Sequence, residues 1–172
     1  MPRAFPVAVV LTALLAPLVS AHAAIADRAS VEALARTSDA VVRGRVERRV
    51  SRMVGNRIVT DVEVRARGVW RGAAPQVVKV TVPGGEVGDL GQRVDGMATF
   101  SDGEEVVVFV AHASDGSWRV NGAAQGKFTV EGAQARPDLT KVTFARNELR
   151  AGERAAEPMT VAELERRVKE AR

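Results

Sequence analysis

Residues 77–111 read VVKVTVPGGEVGDLGQRVDGMATFSDGEEVVVFVA, and this stretch decides the fold class. An apolar run of strand composition precedes a glycine-rich excursion, and a run of valines follows it. Residues 105–111 show no polar alternation, so we expect a central strand that is covered on both faces. Residues 76–82 predict a strand that Pro83 stops, and residues 92–100 predict a further, irregular strand.

A long hairpin precedes this stretch. Apolar and charged side chains alternate from residue 40 to 50 and again from 58 to 67, with Gly55 and Asn56 between them. A strict two-residue loop would set the apolar face of one arm against the charged face of the other, which a side-chain period of two forbids. The connection therefore has an odd length, such as residues 55–57 with Val54 opposite Ile58, or the hairpin contains a bulge. The three-residue loop would pair Val50 with Val62, Arg49 with Glu63, and Glu47 with Arg65.

The remaining segments complete a mainly β chain. We expect a loop or strand bend over 68–75, strands over 117–120 and 125–131, and an edge strand over 141–144. Ser30 predicts the start of a short helix over 30–36, and Thr160 with Glu163 forms a capping box for a C-terminal helix. Residues 148–157 predict a mobile linker. The fold class is therefore a small antiparallel OB-like barrel or sandwich with a short N-terminal helix and a C-terminal helix.

Residues 1–23 have the pattern of a cleaved secretory signal peptide. Arg3 lies in a short basic leader, an apolar run follows, and the A-x-A pattern of residues 21–23 predicts cleavage after Ala23. The apolar run is shorter than the about 20 residues of a membrane span. We therefore expect a periplasmic or secreted product without a transmembrane segment, a β domain with its short N-terminal helix over residues 24–136, and a C-terminal extension over 137–172.

The chain has no cysteine. This composition excludes disulfides, a cysteine nucleophile, a zinc–cysteine cluster and a lipid-modified N-terminal cysteine. A cysteine-free exported chain of about 149 residues after cleavage must be stabilised by burial of its core alone.

Charge is distributed unevenly, and the hairpin carries most of the positive charge. Residues 43–71 contain nine arginines and three acidic residues, whereas residues 72–138 contain five basic and nine acidic residues. The alternation predicts one outward arginine face, which is a candidate surface for a protein partner, an anionic lipid or a polysaccharide. The arginines of this predicted face are Arg43, Arg45, Arg49, Arg65 and Arg67. Because both charge signs are interleaved, a simple solvated strand face is the alternative. Export and the scarcity of aromatic residues argue against nucleic acid as a partner.

The glycine-rich segment is the second candidate binding surface, through Gly84, Gly85 and Glu86. Its glycines superficially resemble a phosphate-binding loop, but the Lys-Ser/Thr ending and the following helix are missing. We expect a long inter-strand loop in which glycine permits positive φ or close approach.

The candidates for catalysis are few. His112 is the single histidine after the predicted signal, and Ser101 or Ser114 are its conceivable nucleophilic partners, but no nucleophile motif surrounds either serine. The acidic turn residues match no calcium-loop spacing, and they include Asp89, Asp95, Asp102, Glu104 and Glu105. Trp70 and Trp118 are candidates either for a binding platform or for the core. We therefore predict no catalytic residue, no metal site and no cofactor.

Several segments resemble a group of uncharacterised exported bacterial proteins. The resemblance covers about residues 38–130 and rests on the segments "SDAVVRGRV", "VPGG", "GEEVVVFV" and "QGKF". More loosely, the first and third of these segments are similar to netrin-like modules, the OB-type barrels of tissue inhibitors of metalloproteinases. The cysteine-bearing amino terminus by which those inhibitors chelate metal is absent, so the resemblance implies no inhibitory residue here.

These observations predict an exported, non-catalytic interaction module with a protein partner in the cell envelope or medium. It is expected to be an accessory to, or an inhibitor of, a secreted hydrolase. Two alternatives are a hydrolase that uses His112 or the carboxylates, and a basic envelope protein that binds polysaccharide or anionic lipid.

Overall fold

The computed structural model describes residues 24–146 and 148–172, so the predicted signal peptide lies outside the described residues. The chain is mainly β, with a short N-terminal helix and a C-terminal helix, as the sequence predicts. The helices are α1 (Val31–Thr37) and α2 (Val161–Glu170), and a 3-10 turn spans Ala123–Gly126. The strands are β1 (Ala24–Asp27), β2 (Ala40–Val54), β3 (Arg57–Gly72), β4 (Val77–Pro83), β5 (Gly85–Val87), β6 (Leu90–Gln92), β7 (Glu105–His112), β8 (Trp118–Val120), β9 (Lys127–Glu131), β10 (Gln134–Pro137), β11 (Val142–Arg146) and β12 (Met159–Thr160).

Most strands belong to one largely antiparallel sheet in the order β12-β10-β9-β7-β2-β3-β4-β8. Strand β8 pairs with β7 as well as with β4, so that β7, β2, β3, β4 and β8 form a closed ring of hydrogen-bonded strands. Two small sheets complete the architecture: β1 pairs in parallel with β11, and β5 pairs with β6 as a hairpin. The ring therefore has an inner face, enclosed by the strands, and an outer face.

Strand β7 is central, and both of its faces are buried, which confirms the expectation for this apolar run. Val106, Val108 and Val110 pack into the inner cluster with valines of β2, β3 and β4. Val107 and Phe109 pack on the outer face, in a second cluster that the two helices cover. A strand with apolar side chains in both directions is thus stabilised by two separate cores.

The helices begin where their capping residues predict. Ser30 Oγ accepts a hydrogen bond from the amide of Ala33 at 3.0 Å, and Thr160 Oγ1 accepts from the amide of Glu163 at 3.1 Å. The apolar stripe of α2 is buried as expected, through Val161, Leu164 and Val168. Both helices cover the outer cluster.

Residues 153–156 are packed on the start of α1, within the segment 148–157 where the sequence predicts a mobile linker. Glu153 accepts hydrogen bonds from Ser30 Oγ at 2.8 Å and from Arg36 at 2.5 Å. Ala155 and Ala156 are buried. The expectation of a mobile linker is therefore wrong for residues 153–156, because Glu153 and Arg154 bind the helix start through long-range contacts without a local signature.

Of the two alternatives for 68–75, a loop or a strand bend, the loop is wrong for residues 68–72, because β3 continues to Gly72 with irregular pairing to β2. One further expectation about strands is wrong. Residues 93–104 contain no strand, because Asp95 and Gly96 turn the chain and Gly96 has a φ of 76°. Ala98 and Phe100 of this segment are instead buried in the inner cluster as an irregular plug.

The segments GEE and QGK meet in the structure through a buried ion pair. The Lys127 ammonium bonds the Glu104 carboxylate, and it also donates to Thr129 Oγ1 at 2.7 Å. The side chain of Lys127 is only 5% exposed, so the pair is withdrawn from water. The adjacent Gln125 is buried and binds the backbone of residues 27 and 29. These residues have structural roles that join the sheet to the N-terminal segment.

Candidate functional site

The β2–β3 hairpin contains a bulge in place of the three-residue loop. Val54 pairs with Arg57, so the turn has two residues, Gly55 and Asn56. A bulge at Glu47 aligns the apolar faces of the two strands, because Val46 pairs with Val64 but Arg48, not Glu47, pairs with Glu63. The proposed three-residue loop is therefore wrong, whereas the alternative of a bulge is confirmed.

The bulge changes which face Arg49 occupies. Arg49 lies opposite Val62, a residue of the inner cluster, so its side chain lies on the inner face. The expectation that all five arginines share one face is wrong for this residue. Arg43, Arg45, Arg65 and Arg67 remain together on the outer face. Val50 lies on the outer face and is 41% exposed, although the alternation predicts that it faces inward.

Most outer-face arginines are paired with carboxylates. Glu105 bonds Arg43 at 2.6 Å and Arg67 at 3.3 Å. Glu47 bonds Arg65 from the bulge, although the predicted strand pairing of these two residues is wrong because Arg45 lies opposite Arg65. Arg45 has no ion pair among the described residues. Three of these four arginines share two carboxylates in partly exposed pairs, which contribute little stability each, and the four arginines with Glu47 and Glu105 keep an excess of positive charge.

Asp61 anchors the outer half of the hairpin. Its carboxylate is 9% exposed and accepts hydrogen bonds from Thr81 Oγ1 at 2.7 Å and from Arg52 Nε at 3.0 Å, and Lys79 Nζ lies 3.1 Å away. Burial alone would raise the pKa of Asp61, but the bonds from Arg52, Thr81 and Lys79 outweigh it and lower the pKa to about 2. The carboxylate is thus fully ionised at neutral pH.

A cavity of about 140 Å³ opens on the inner face of the same hairpin. Arg49, Thr60 and Phe100 line it together with Gly84 and Gly85. A neighbouring groove shares Arg49, Thr60 and Gly85 with the cavity and adds Ser51 and Glu86. The structure therefore brings together four of the sequence-predicted residues, namely Arg49, Gly84, Gly85 and Glu86. It separates them from the other four arginines, which lie on the opposite face.

Arg49 is held in place in this cavity. Its guanidinium donates to the carbonyl of Phe100 at 2.7 Å and to Asp102 at 3.1 Å. The bulge at Glu47 directs this arginine toward the plug formed by residues 93–104, and the arginine side chain fastens that plug to β2. Arg49 thus has a structural role at the cavity wall as well as a charge at its mouth.

The glycine-rich segment is largely a hairpin, β5–β6, where the sequence predicts a long loop. Gly85 has a φ of 135°, and a Cβ there would lie 2.3 Å from Thr60 Oγ1 and 2.4 Å from Ser51 Oγ. Thr60 Oγ1 donates to the carbonyl of Gly84 at 2.7 Å. Glycine is therefore required at position 85 for close approach, which seats the small hairpin on the inner face of β2 and β3.

The outer half of the β2–β3 hairpin extends beyond β7 on one side, whereas on the other side β4 pairs with β3 nearly to the turn. The last pair with β4 is Val59–Pro83, and the last pair with β7 is Arg45–Glu105. Val50, Met53 and Val54 are exposed there, as is Leu90 of β6 nearby in the small hairpin. The sequence analysis missed this apolar tip, although the pattern VSRMV contained it. Residues 48–58 form the hairpin tip.

His112 lies at the other end of the ring, away from the hairpin tip. Its ring stacks on Trp118 with centroids 3.7 Å apart, and Nδ1 lies 3.2 Å from Asp39 Oδ2. Hydrogen bonds from the His112 amide and ring lower the pKa of Asp39. Within residues 24–146 and 148–172 no serine hydroxyl bonds the ring, and the Ser117 hydroxyl donates to Asp115 at 2.5 Å. This arrangement orients a histidine but brings no nucleophile to it.

The two tryptophans are separated. Trp70 packs against the helix-covered cluster and Trp118 against the inner cluster, so they form no shared platform. In the described part of the chain, no group of three potential metal ligands converges, and no helix is long and apolar enough to cross a membrane. The acidic turn residues Asp102, Glu104 and Glu105 are instead engaged with basic side chains.

Comparison with known proteins gives no relative. No protein-family model matches the chain, and no curated protein or solved structure matches it. The resemblance noted in the sequence therefore stays a prediction, and the function must be argued from the molecule itself.

Proposed function

We propose that this protein is an exported, non-catalytic interaction module that binds a protein partner through the hairpin tip and the adjoining groove. The observation that supports the proposal is the combination, on the outer half of one hairpin, of exposed apolar side chains on both faces with a cavity mouth on the inner face. Val50, Met53 and Val54 leave 41–48% of their surface in contact with water. Apolar residues clustered at such a tip are typical of surfaces that are buried in a complex.

The position of the groove supports the same proposal. The small hairpin β5–β6 forms one wall, and the amide of Glu86 donates to Ser51 Oγ at 3.3 Å across the groove. Gly84 and Gly85 allow this wall to lie directly on β2 and β3. A partner side chain entering the cavity would contact the apolar Val62, Val82 and Phe100 beneath a polar rim.

The partner class that fits best is a folded or extended protein segment in the cell envelope or medium, including an exported hydrolase. The alternative of an anionic polysaccharide or lipid rests on the arginines, and most outer-face arginines are already paired. The alternative of a hydrolase rests on His112, which has Asp39 as partner but no nucleophile.

The proposal is tested by photocrosslinking in the native host. A photoreactive amino acid replaces Val54 in the hairpin tip, and a matched probe replaces the exposed Glu131 at the end of β9. The proposal expects one protein adduct at position 54 and none at 131. Met53→Ser with Val54→Ser should abolish capture by a tagged protein, whereas Ile25→Ser, at a residue that is 76% exposed, should leave capture intact. Equal adducts at both positions, or capture unaffected by the tip substitutions, would contradict the proposal.

Export is tested separately. The proposal expects the purified protein to begin at Ala24 when its N-terminus is sequenced and to fractionate with the envelope or medium. A cytoplasmic protein that retains residues 1–23 would refute export without bearing on the hairpin tip.

A further inference from the structure

Strand β2 has one edge that is unpaired over part of its length. On one side β2 pairs with β3 along its whole length, from Ala40 to Val54. On the other side it pairs with β7 through Arg45, and Val46 adds backbone bonds to Gly103 and Glu104. Among the described residues, no strand pairs with β2 on that side beyond Val46. Residues 48–54 therefore present an open strand edge with unpaired backbone groups.

The chemistry of this edge is basic. The hairpin tip carries four arginines and no acidic side chain, namely Arg48, Arg49, Arg52 and Arg57. Arg52 bonds Asp61 and Arg49 bonds Asp102, but Arg48 and Arg57 are exposed and have no ion pair in the described part of the chain. Two free cations thus flank the open edge.

We infer that the partner, if the proposed function holds, contributes an extended acidic segment that adds to this edge as an antiparallel strand. Strand addition supplies backbone hydrogen bonds, and alternate side chains of the partner supply the specificity. The antiparallel direction follows from β7, which runs antiparallel to β2 along the same edge. The added strand would continue the sheet where β7 leaves it.

The register of the hairpin defines which side chains fit. On the outer face Arg48, Val50, Arg52 and Val54 alternate, so a partner strand needs acidic and apolar residues at alternate outward positions. On the inner face it meets Arg49, Ser51 and Met53, which favour an acidic, a small polar and an apolar residue. Read antiparallel from position 54 to 48, the complementary segment is Val-Leu-Glu-Thr-Val-Glu-Glu.

A second copy of this chain is a poor occupant of the edge. Pairing two hairpin tips would bring two sets of four arginines together without an acidic side chain between residues 48 and 58. Like charges directly opposite each other in a strand pair are destabilising. An acidic partner strand removes this repulsion and replaces it with cross-strand ion pairs.

The test uses defined peptide probes with the intact protein in 0.15 M salt, where the Debye length is about 8 Å. A fluorescent Val-Leu-Glu-Thr-Val-Glu-Glu peptide is titrated by anisotropy against three others. The first of these has alternate backbone amides N-methylated, the second has Lys in place of each Glu, and the third has the same residues in a scrambled order. The inference expects at least a tenfold weaker affinity for each of these than for the parent peptide. Amide exchange of residues 48–54 should slow on binding of the parent peptide only.

The matched variants separate the arginines from net charge. Arg48→Glu with Arg57→Glu should weaken the parent peptide at least tenfold, whereas Arg136→Glu with Arg150→Glu makes the same change in net charge at exposed positions elsewhere and should have less than a twofold effect. Equal affinity for the N-methylated peptide would overturn strand addition, because backbone hydrogen bonds would not contribute.

Three outcomes would overturn this inference, and the first of them leaves the proposed function intact. If the parent peptide does not bind while the crosslink at position 54 persists, strand addition is refuted and the interaction module survives. If vesicles of phosphatidylcholine with phosphatidylglycerol bind through Arg48 and Arg57 and the peptide does not, the hairpin tip recognises an anionic membrane surface instead. A dimer that Arg48→Glu with Arg57→Glu strengthens would overturn the inference in favour of a second copy.

Discussion

Replacement of Asp61 by Asn should destabilise the protein by about 2 kcal/mol at pH 7. The carboxylate is 9% exposed and bonded by Arg52, Lys79 and Thr81, and its pKa is lowered from its ordinary value of 3.8 to about 2. Each pH unit between the unfolded and folded pKa corresponds to about 1.4 kcal/mol of stability. Because Arg52 and Lys79 are half exposed, solvent screening makes about 2 kcal/mol an upper value.

The pH dependence gives this prediction its sign. A carboxylate with a lowered folded pKa stabilises the protein above its unfolded pKa and loses that contribution as the pH falls through the folded pKa. The difference between the wild-type protein and Asp61→Asn should therefore be constant above about pH 5 and shrink from pH 4 to pH 2. Urea unfolding followed by tryptophan fluorescence measures this difference at each pH.

A matched control is available in the turn segment that Arg49 binds. Asp102 bonds Arg49 at 3.1 Å but is 60% exposed, so Asp102→Asn should cost less than about 0.5 kcal/mol. An Asp61→Asn variant as stable as the wild type at pH 7 would refute the reasoning. So would a difference that persists undiminished at pH 2, since the effect would then be independent of ionisation.

Three further predictions concern the buried pair, the small hairpin and the histidine. Lys127→Ala should lower the free energy of unfolding in urea by about 3–5 kcal/mol, because it leaves the buried Glu104 carboxylate without its ion pair. Lys169→Ala, at an exposed helix pair, should lower it by less than about 0.5 kcal/mol. Equal losses in the two variants would contradict the burial argument. Gly85→Ala should cost about 1–3 kcal/mol and reduce capture at the hairpin tip, because its Cβ would meet two hydroxyls, while Gly88→Ala at an open turn should cost about 1 kcal/mol and leave capture intact. His112→Ala should leave partner capture unchanged in the crosslinking assay, and a hydrolase activity that this substitution abolishes would refute the non-catalytic proposal.

Much of the fold was predictable because its signals are local. The all-apolar run of β7 predicts a doubly covered strand, and the capping residues Ser30 and Thr160 predict the two helix starts within one residue. Each of these signals lies within a few residues of the element that it predicts. Tertiary packing reinforces them without changing them.

The site was less predictable because it depends on one extra residue in a strand. Side-chain parity requires a bulge or an odd loop, but the local sequence does not say which. The actual bulge at Glu47 moves Arg49 to the inner face and exposes Val50. One displaced residue therefore separates the predicted arginine face into an outer network and a cavity wall.

Contacts between distant segments account for the other differences. Glu153 binds Ser30 and Arg36 across more than 100 residues of sequence, so residues 153–156 are packed although the segment 148–157 has the composition of a linker. Phe100 is buried although no strand surrounds it, since Arg49 binds its carbonyl. Neither contact has a local pattern that would predict it.

The most direct test of the account is amide hydrogen exchange on the protein with and without its captured partner. The account predicts slower exchange in the hairpin tip, residues 48–58, and in the adjoining segment 84–97, with little change in α1, α2 and β8. Slower exchange confined to the helices or to the surroundings of His112, with the hairpin tip unchanged, would contradict it.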